Sequence, residues 1–170
     1  MAISVFGPAG IIEDGAAENH RPVVFSANGF PLLSAGSTTD LVARSSSMWV
    51  HVKVYADGGE NGLHAHSAED HVFVILDGEA TFFDENAAET VISKNDGILI
   101  PHGTLYRFRS SGSTNLVMLR IGAAAGEEDL FGTWGERVGK SGEAAPGDAP
   151  ANGTGAIRGT PIPGQTFGSR

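Results

Sequence analysis

Three histidines lie within an eight-residue stretch of this sequence: His64, His66 and His71. In an extended segment, residues two apart project from the same face, so His64 and His66 can direct their rings at one point while Ala65 faces away. His71 opens the next apolar run, and a tight turn over 67–70 would bring that strand back beside the first. Three neutral imidazoles on a sheet suit a divalent transition metal (Fe, Zn, Ni, Cu or Co, with Fe or Zn favoured) better than Mg or Ca. The spacing therefore predicts a metal centre.

Two carboxylates compete with His71 for the place of third ligand. If the strand begins at His71, Asp70 faces away from it and Glu69 falls before it, so we favour His71. His102 lies in a predicted turn, where we interpret it as an exposed loop residue, with a role as fourth ligand as the alternative.

The residues around the histidines follow a β pattern. Short runs of β-branched and aromatic residues alternate with turn clusters such as Asp77-Gly78 and Asn95-Asp96-Gly97. No stretch of helical period interrupts the series, which favours an antiparallel sandwich or barrel. The predicted strands are Met48–Ala56, His71–Leu76, Ala80–Phe83, Glu89–Ser93, Ile98–Ile100, Tyr106–Arg109 and Leu116–Ile121.

The chain divides into three parts by composition. Residues 1–40 form an irregular N-terminal arm with one short predicted strand, Pro22–Ser26, and residues 41–122 form the barrel. Residues 123–170 contain a short predicted helix, Glu127–Val138, and a Gly-, Ala- and Pro-rich extended tail. A tail of this composition cannot bury enough apolar surface to fold alone. We therefore expect it to lie against something else, such as the neighbouring subunit of a homodimer.

Composition and charge exclude several partners. The formal net charge of -9 over 170 residues argues against nucleic acid and against an anionic membrane surface. The absence of cysteine excludes thiolate ligands and disulfides. No apolar stretch approaches the roughly 18 residues of a membrane span, and the N-terminus lacks a basic segment ahead of an apolar run. We expect a cytoplasmic protein that acts on a small-molecule substrate.

The segment from Gly58 to Ser110 resembles the two sequence motifs of the cupin superfamily. The first motif is similar to Gly58, His64-Ala65-His66, His71 and Gly78 at the family's intervals, and the second is similar to Asn95–Arg109 with its Pro101-His102-Gly103 element. The resemblance implies an all-β fold, a double-stranded β-helix or jelly-roll barrel. It also implies that His64 and His66 are metal ligands.

Two residues depart from the family pattern. His71 stands where the family carries glutamate, and Tyr106 stands where it carries a second-motif histidine. Tyr106 has three interpretations: an ionised phenolate ligand, a neutral phenol that donates a proton or hydrogen bond to substrate, or a core aromatic. An all-imidazole site leaves a metal with its full positive charge, so it would be a strong Lewis acid that attracts anionic oxygen ligands.

Alternation along the strand that precedes the histidines defines two faces. Trp49, His51, Lys53 and Tyr55 lie on one face, and Val50, Val52 and Val54 lie on the other. If the mixed face points inward, His51 and Lys53 are candidates to bind a substrate carboxylate or carbonyl; if it points outward, they are solvated.

Further residues share faces with the candidate ligands. Phe73 lies on the face of His71 and Phe108 on that of Tyr106, so both are predicted walls of a substrate pocket, with a simple core role as the alternative. Arg107 and Arg109 are expected in solvent.

Three functions remain open from the residues and the resemblance. The first is an Fe(II) dioxygenase acting on a small oxygenated or aromatic substrate. The second is a redox-neutral metal-dependent isomerase, epimerase or lyase in which Tyr106 acts as acid or base. The third is a non-catalytic cupin that binds a small ligand.

Overall fold

A computed structural model describes residues 6–7, 10–11, 22–57, 61–66, 68–124, 137–139 and 159–169. Within these ranges the regular elements are all strands, and every strand pairing is antiparallel. In chain order the strands are β1 (Phe6–Gly7), β2 (Gly10–Ile11), β3 (Pro31–Ala35), β4 (Ser37–Arg44), β5 (Met48–Tyr55), β6 (Asn61–His66), β7 (Glu69–Asp77), β8 (Glu79–Phe83), β9 (Glu89–Ser93), β10 (Gly97–Ile100), β11 (Tyr106–Ser110), β12 (Leu116–Ala124), β13 (Arg137–Gly139) and β14 (Thr160–Thr166).

Two five-stranded sheets make up the body of the protein. The first has the order β10-β7-β12-β5-β4 and the second has the order β13-β6-β11-β8-β9. From β5 to β12 the chain passes repeatedly from one sheet to the other, so the two sheets share one interior. The predicted antiparallel all-β architecture is confirmed.

An aromatic-rich cluster fills the space between the sheets. Both sheets contribute to it, which shows that their facing sides are the inside of the barrel. Its buried members are Tyr55, Phe73, Ile75, Ala80, Phe82, Ile92, Ile100, Tyr106, Phe108, Leu116 and Met118.

A second apolar cluster covers the outer side of the first sheet. Val52 and Val54 of β5 point into it and pack with Phe30 and Leu33, which come from the segment before β4. Since neighbouring residues of a strand face opposite ways, the other face of β5 points into the barrel. The structure thus decides the orientation that the sequence left open: His51 and Lys53 are interior.

The C-terminal tail belongs to this outer cover. Strand β14 pairs with β3, and backbone hydrogen bonds join Phe167 to both Gly29 and Phe30. The Asn115 side chain accepts from the Leu33 N–H and donates to the Leu33 carbonyl, which ties β3 to the barrel. The described part of the tail therefore lies against the chain's own arm, where the sequence suggested a neighbouring subunit.

Several predicted boundaries differ from the structure. The strand predicted at Pro22–Ser26 is wrong: these residues are irregular, Val24 is 93% exposed, and the next strand of the arm is β3. Pro22 has no N–H to donate to a neighbouring strand. An apolar segment forms a β-strand only where a partner strand accepts its backbone hydrogen bonds. The first sheet already begins with β4 at Ser37, before residue 41. Most of the helix predicted at Glu127–Val138 lies outside the described residues, but its last two positions belong to β13, which pairs with β6.

Two turns show why their residue types matter. Gly78 has φ of 78°, and a side chain there would collide with the Asn115 carbonyl. Asn95 has φ of 74°, as expected for a residue that tolerates the left-handed region.

The close approach of β12 to Trp49 generates the first prediction. A Cβ added at Gly122 would overlap the buried indole ring of Trp49 on β5. Gly122→Ala should therefore lower the free energy of unfolding by about 1–3 kcal/mol, measured by urea denaturation. Adding Trp49→Phe should recover part of that loss, because the smaller ring leaves room for the methyl group. If Gly122→Ala alone is as stable as the parent, β12 does not pack closely against Trp49.

Candidate metal centre

Three strands position the candidate ligands at one place in the barrel. Strand β7 begins at Glu69, two residues earlier than predicted, and its burial alternates so that Glu69 and His71 both point inward. Strand β6 carries His64 and His66. Tyr106 on β11 lies opposite His64 in the strand register.

The structure brings the three histidine rings together inside the barrel. The ring centroids of His64 and His66 are 5.1 Å apart, and those of His66 and His71 are 4.1 Å apart. All three side chains are buried. The rings thus sit side by side in the interior and not on separate surfaces.

Within the described residues, the side chains of His66, Glu69 and His71 form a group of donor atoms that could hold a metal ion. One ligand atom from each lies within 4.8 Å of the others. Glu69 Oε2 is 2.8 Å from His71 Nε2 and 3.9 Å from His66 Nδ1. Metal bonds of about 2.0–2.2 Å place two donors roughly 3 to 4.4 Å apart, so shifts below about 1 Å would close this group around an ion. The residues fit a divalent transition metal.

Sequence reasoning ranked Glu69 below His71, whereas the structure places both in the same group. The reason is the start of β7: because the strand begins at Glu69, the carboxylate is two residues from His71 and shares its face. The sequence signal that could have shown this is the alternation Glu69, His71, Phe73, Ile75. Whether the metal uses three imidazoles or two with a carboxylate stays a prediction.

The hydrogen bond that His64 makes determines which of its ring nitrogens can bind a metal. Its Nδ1 is 2.8 Å from the Gly62 carbonyl oxygen. A carbonyl can only accept, so Nδ1 carries the proton and the lone pair of the neutral ring is on Nε2. An outer hydrogen bond of this kind orients a ligating histidine, and His64 stays a candidate ligand beside the His66, Glu69 and His71 group.

His71 is a neutral ring with both nitrogens engaged. Burial, with the Arg120 cation as the second cause, lowers the pKa of His71 from 6.5 to about 2. Because the Glu69 carboxylate accepts, Nε2 carries the single proton, and Nδ1 accepts from the Tyr106 hydroxyl at 3.3 Å. A cation shared by Glu69 and His71 would take the place of that proton.

The carboxylate of Glu69 is held from a second side. The indole Nε1 of Trp49 donates to Glu69 Oε1 at 3.4 Å, while Oε2 faces His71. The ring of Trp49 also meets that of His71 edge-on at 5.3 Å. Trp49 therefore orients both members of the pair.

Arg120 is a site residue that sequence reasoning missed. Its Nη2 is 3.1 Å from His66 Nε2 and 3.3 Å from each ring nitrogen of His71. The guanidinium carbon lies 4.9 Å from the centre of the Trp49 ring. Arg120 alternates with Met118, an interior residue, and that alternation is the signal that could have found it.

The four predicted substrate-binding residues are all buried in the barrel interior. The ring of His51 lies 4.5 Å from that of Trp49, and Lys53 Nζ lies 5.0 Å from the centre of the Tyr55 ring. Phe73 meets the His71 ring at 6.1 Å. Phe108 packs with the core aromatics Tyr55, Phe73 and Phe82. His51, Lys53 and Phe73 can face a ligand near the histidines. The contacts of Phe108, in contrast, are those of a core residue.

The remaining candidates point outward. Asp70 accepts from His102 at 2.9 Å on the exposed side of β7, as its position in the strand requires. Arg107 and Arg109 lie over the ring of Phe83 at 4.0 and 5.4 Å. None of these four polar residues belongs to the buried donor group.

Comparison with known proteins agrees with the motifs and with the fold. The cupin domain family model matches residues 51–122. The uncharacterized protein YdbB of Bacillus subtilis is 38% identical over 52 residues, which is 31% of this chain and 46%, about half, of that protein.

Solved structures support the same fold. A double-stranded β-helix protein from Klebsiella pneumoniae aligns with a TM-score of 0.54 at 20% identity, over 63% of this chain and 88% of that protein. The cupin domain of Cnp3 from Schizosaccharomyces pombe aligns with a TM-score of 0.50 at 15% identity, over 73% and 86%. Residues 51–122 therefore match the cupin domain model, and the fold is a double-stranded β-helix of the cupin type. In the part of the chain that is described, no helix has the length and apolarity to cross a membrane.

Metal binding is the direct test of the buried donor group. We expect Zn(II) or Co(II) to raise the thermal unfolding temperature of chelator-treated protein, because an ion that binds only the folded state stabilises it. His66→Ala should abolish the shift and the bound metal found by elemental analysis. Glu69→Gln should weaken metal binding by at least about tenfold if the carboxylate is a ligand. His102→Ala serves as the control, since its exposed ring lies outside the group, and an equal loss in that variant would count against the site.

Burial of His51 predicts a pH dependence of stability. Its pKa is lowered from 6.5 to about 4, first by burial and then by the Arg120 and Lys53 cations. Between these values the unfolded chain binds a proton that the folded protein does not, so stability is fully present above pH 6.5 and falls as the pH drops towards 4. The loss attributable to His51 should be about 2–3 kcal/mol in chemical denaturation with chelator present. His51→Gln should remove the contribution of His51 to this slope and leave that of His71, whose pKa is also lowered, whereas His102→Gln should keep the whole slope; an unchanged slope in His51→Gln would show that the His51 ring is solvated.

Proposed function

We propose that this protein is a metal-dependent oxygenase that binds Fe(II) and acts on a small oxygenated or aromatic substrate. The observation that carries the proposal is the burial of two imidazoles and one carboxylate, from His66, Glu69 and His71, around one point of the barrel. Two histidines and one carboxylate are the donor set of non-haem Fe(II) oxygenases, which leaves coordination positions open for substrate and O₂. His64 is the candidate fourth protein donor.

The surroundings of the group favour chemistry away from water. Phe73 of the first sheet packs against both His71 and Tyr106, and Phe82 lies against Tyr106 within the second sheet. A bound iron would supply one-electron chemistry with O₂. The apolar rings keep bulk water out and strengthen the electrostatic interactions of the polar groups that remain.

Tyr106 is the residue we assign to proton transfer. Its side chain is buried, and its hydroxyl is 3.3 Å from His71 Nδ1. A neutral phenol there can donate a hydrogen bond or a proton to an oxygen of a substrate that lies against the histidines. Direct ligation by an ionised Tyr106 is the alternative, and a metal-to-phenolate absorption band in the Fe(III) form would reveal it.

A second candidate function is a redox-neutral isomerase, epimerase or lyase reaction. The contact between Tyr106 and His71 favours it, because an acid or base beside a Lewis-acidic metal suffices for proton abstraction next to a carbonyl without O₂. Native Zn or Ni would support this candidate, and native Fe would support the oxygenase. A non-catalytic ligand-binding cupin is the remaining alternative.

The homodimer and the cytoplasmic location expected from the sequence stay predictions. Sedimentation of the full chain and cell fractionation would test them separately from the chemistry.

Oxygen consumption tests the proposed reaction. Fe(II)-loaded protein should consume O₂ with at least one member of a panel of β-dicarbonyls and hydroxy-aryl ketones. Tyr106→Phe should lower kcat by about 10²–10⁴-fold while iron content is retained, because it removes only the hydroxyl. The matched control is Tyr55→Phe, which removes the hydroxyl of the other tyrosine in the same core.

The oxygenase and the redox-neutral reaction differ in their requirement for O₂. Turnover that continues under anaerobic conditions would replace the oxygenase by the redox-neutral reaction. Protein that holds iron but shows no O₂ uptake across the panel would contradict the oxygenase.

A further inference from the structure

Arg120 lies in the wall of the barrel interior, beside the candidate metal centre. It stands on β12 directly opposite His51 on one side and Phe73 on the other. Its guanidinium carbon is 4.9 Å from the centre of the Trp49 ring and 5.9 Å from that of Phe73. Aromatic faces thus hold the planar group in a fixed orientation.

The charge of this guanidinium lacks an anionic partner among the described residues. No ion pair in that part of the chain includes Arg120, and its buried Nε makes no hydrogen bond there. The acid of the donor group, Glu69, directs one oxygen to His71 and the other to Trp49. Arg120 is partly buried, and a guanidinium that is partly removed from water is usually paired with an anion.

A second buried polar atom, the Nδ1 of His51 opposite Arg120, also makes no hydrogen bond within the described residues. His51 is 6% exposed, and its Nδ1 makes no hydrogen bond within the described residues. His51 and Arg120 face each other across the β5–β12 pair, and Lys53 lies two residues further along the same face of β5. The two unpartnered atoms and the two cations define a positively charged, hydrogen-bonding surface inside the barrel.

We infer that Arg120 binds the carboxylate of a small-molecule substrate next to the His66, Glu69 and His71 group. The Nε–H and an Nη2–H of a guanidinium form a fork that matches the two oxygens of a carboxylate. His51 supplies a further polar contact at Nδ1, and Lys53 adds to the positive potential. The substrate class is therefore a small carboxylate, which deepens the proposed function and rests on it for the position of the metal.

Metal binding and anion binding are coupled through His66. In the structure the Nη2 of Arg120 lies against His66 Nε2 at 3.1 Å. A neutral imidazole has one lone pair, so the ring gives it either to the guanidinium or to a metal. A metal-loaded ring releases Nη2 and completes the fork, so metal and carboxylate should each tighten the binding of the other.

Calorimetric titration of small carboxylates tests this inference on the full chain. Acetate, pyruvate and benzoate are titrated into chelator-treated and Zn(II)-loaded protein, with their uncharged amides as matched probes. At least one carboxylate should bind at least about tenfold more tightly than its amide. Arg120→Gln and Arg120→Lys should each weaken that binding about 10- to 100-fold, because both remove the fork and only the second keeps the charge. Arg109→Gln changes the net charge equally at the surface and should bind like the parent.

The outcomes separate this inference from the proposed function. Equal binding of carboxylates and amides, no carboxylate binding to either form, or full binding by a folded Arg120 variant would overturn the inference even if Zn(II) binds. Carboxylate binding that depends on Arg120 in a protein that binds no metal would uphold the inference and overturn the proposed metal enzyme. Because the comparison of carboxylate with amide uses the parent protein, it stands even if both Arg120 variants fail to fold.

Discussion

The apolar cover on the outside of the first sheet is the constraint on which the rest of the structure depends. Val52 and Val54 pack outward under Phe30 and Leu33, and the strand that carries them has no freedom to turn its other face to solvent. Alternation then sends His51 and Lys53 into the barrel. A sheet covered on one face only would bury its valines and expose those polar residues, and the site would lose its positive wall.

The interior is unusual in holding polar residues beside a large aromatic core. One part of the interior is the packed aromatic cluster, and the part around the histidines contains the buried side chains of Glu69, His64, His66 and His71 and the partly buried Arg120. Buried groups of this kind are tolerated when each finds a hydrogen-bond partner or a ligand. Glu69 and His71 satisfy each other, whereas His51 Nδ1 and Arg120 Nε make no hydrogen bond within the described residues. The unsatisfied positions therefore point to where a ligand belongs, and they lie next to the donors that fit a metal.

The departures from the cupin pattern acquire a physical meaning in this setting. A histidine at the usual glutamate position does not remove the carboxylate from the site, because Glu69 enters the same face two residues earlier. Tyr106 keeps the body of a core aromatic while its hydroxyl reaches His71. The positions have changed residue type, yet the interior still gathers two imidazoles and a carboxylate in one group, with the hydroxyl of Tyr106 beside it.

The sequence by itself determined the antiparallel barrel and the neighbourhood of the histidines, because β alternation, turn residues and motif spacing are local properties of the chain. It did not determine the start of β7 at Glu69, since one strand boundary depends on its partner strands. It also could not assign Arg120, or the pairing of the tail with β3, since these contacts join residues that lie far apart in the chain. Only the tertiary structure decided which face of β5 is interior, because that choice rests on what covers the opposite face, and no periodicity within the strand records it.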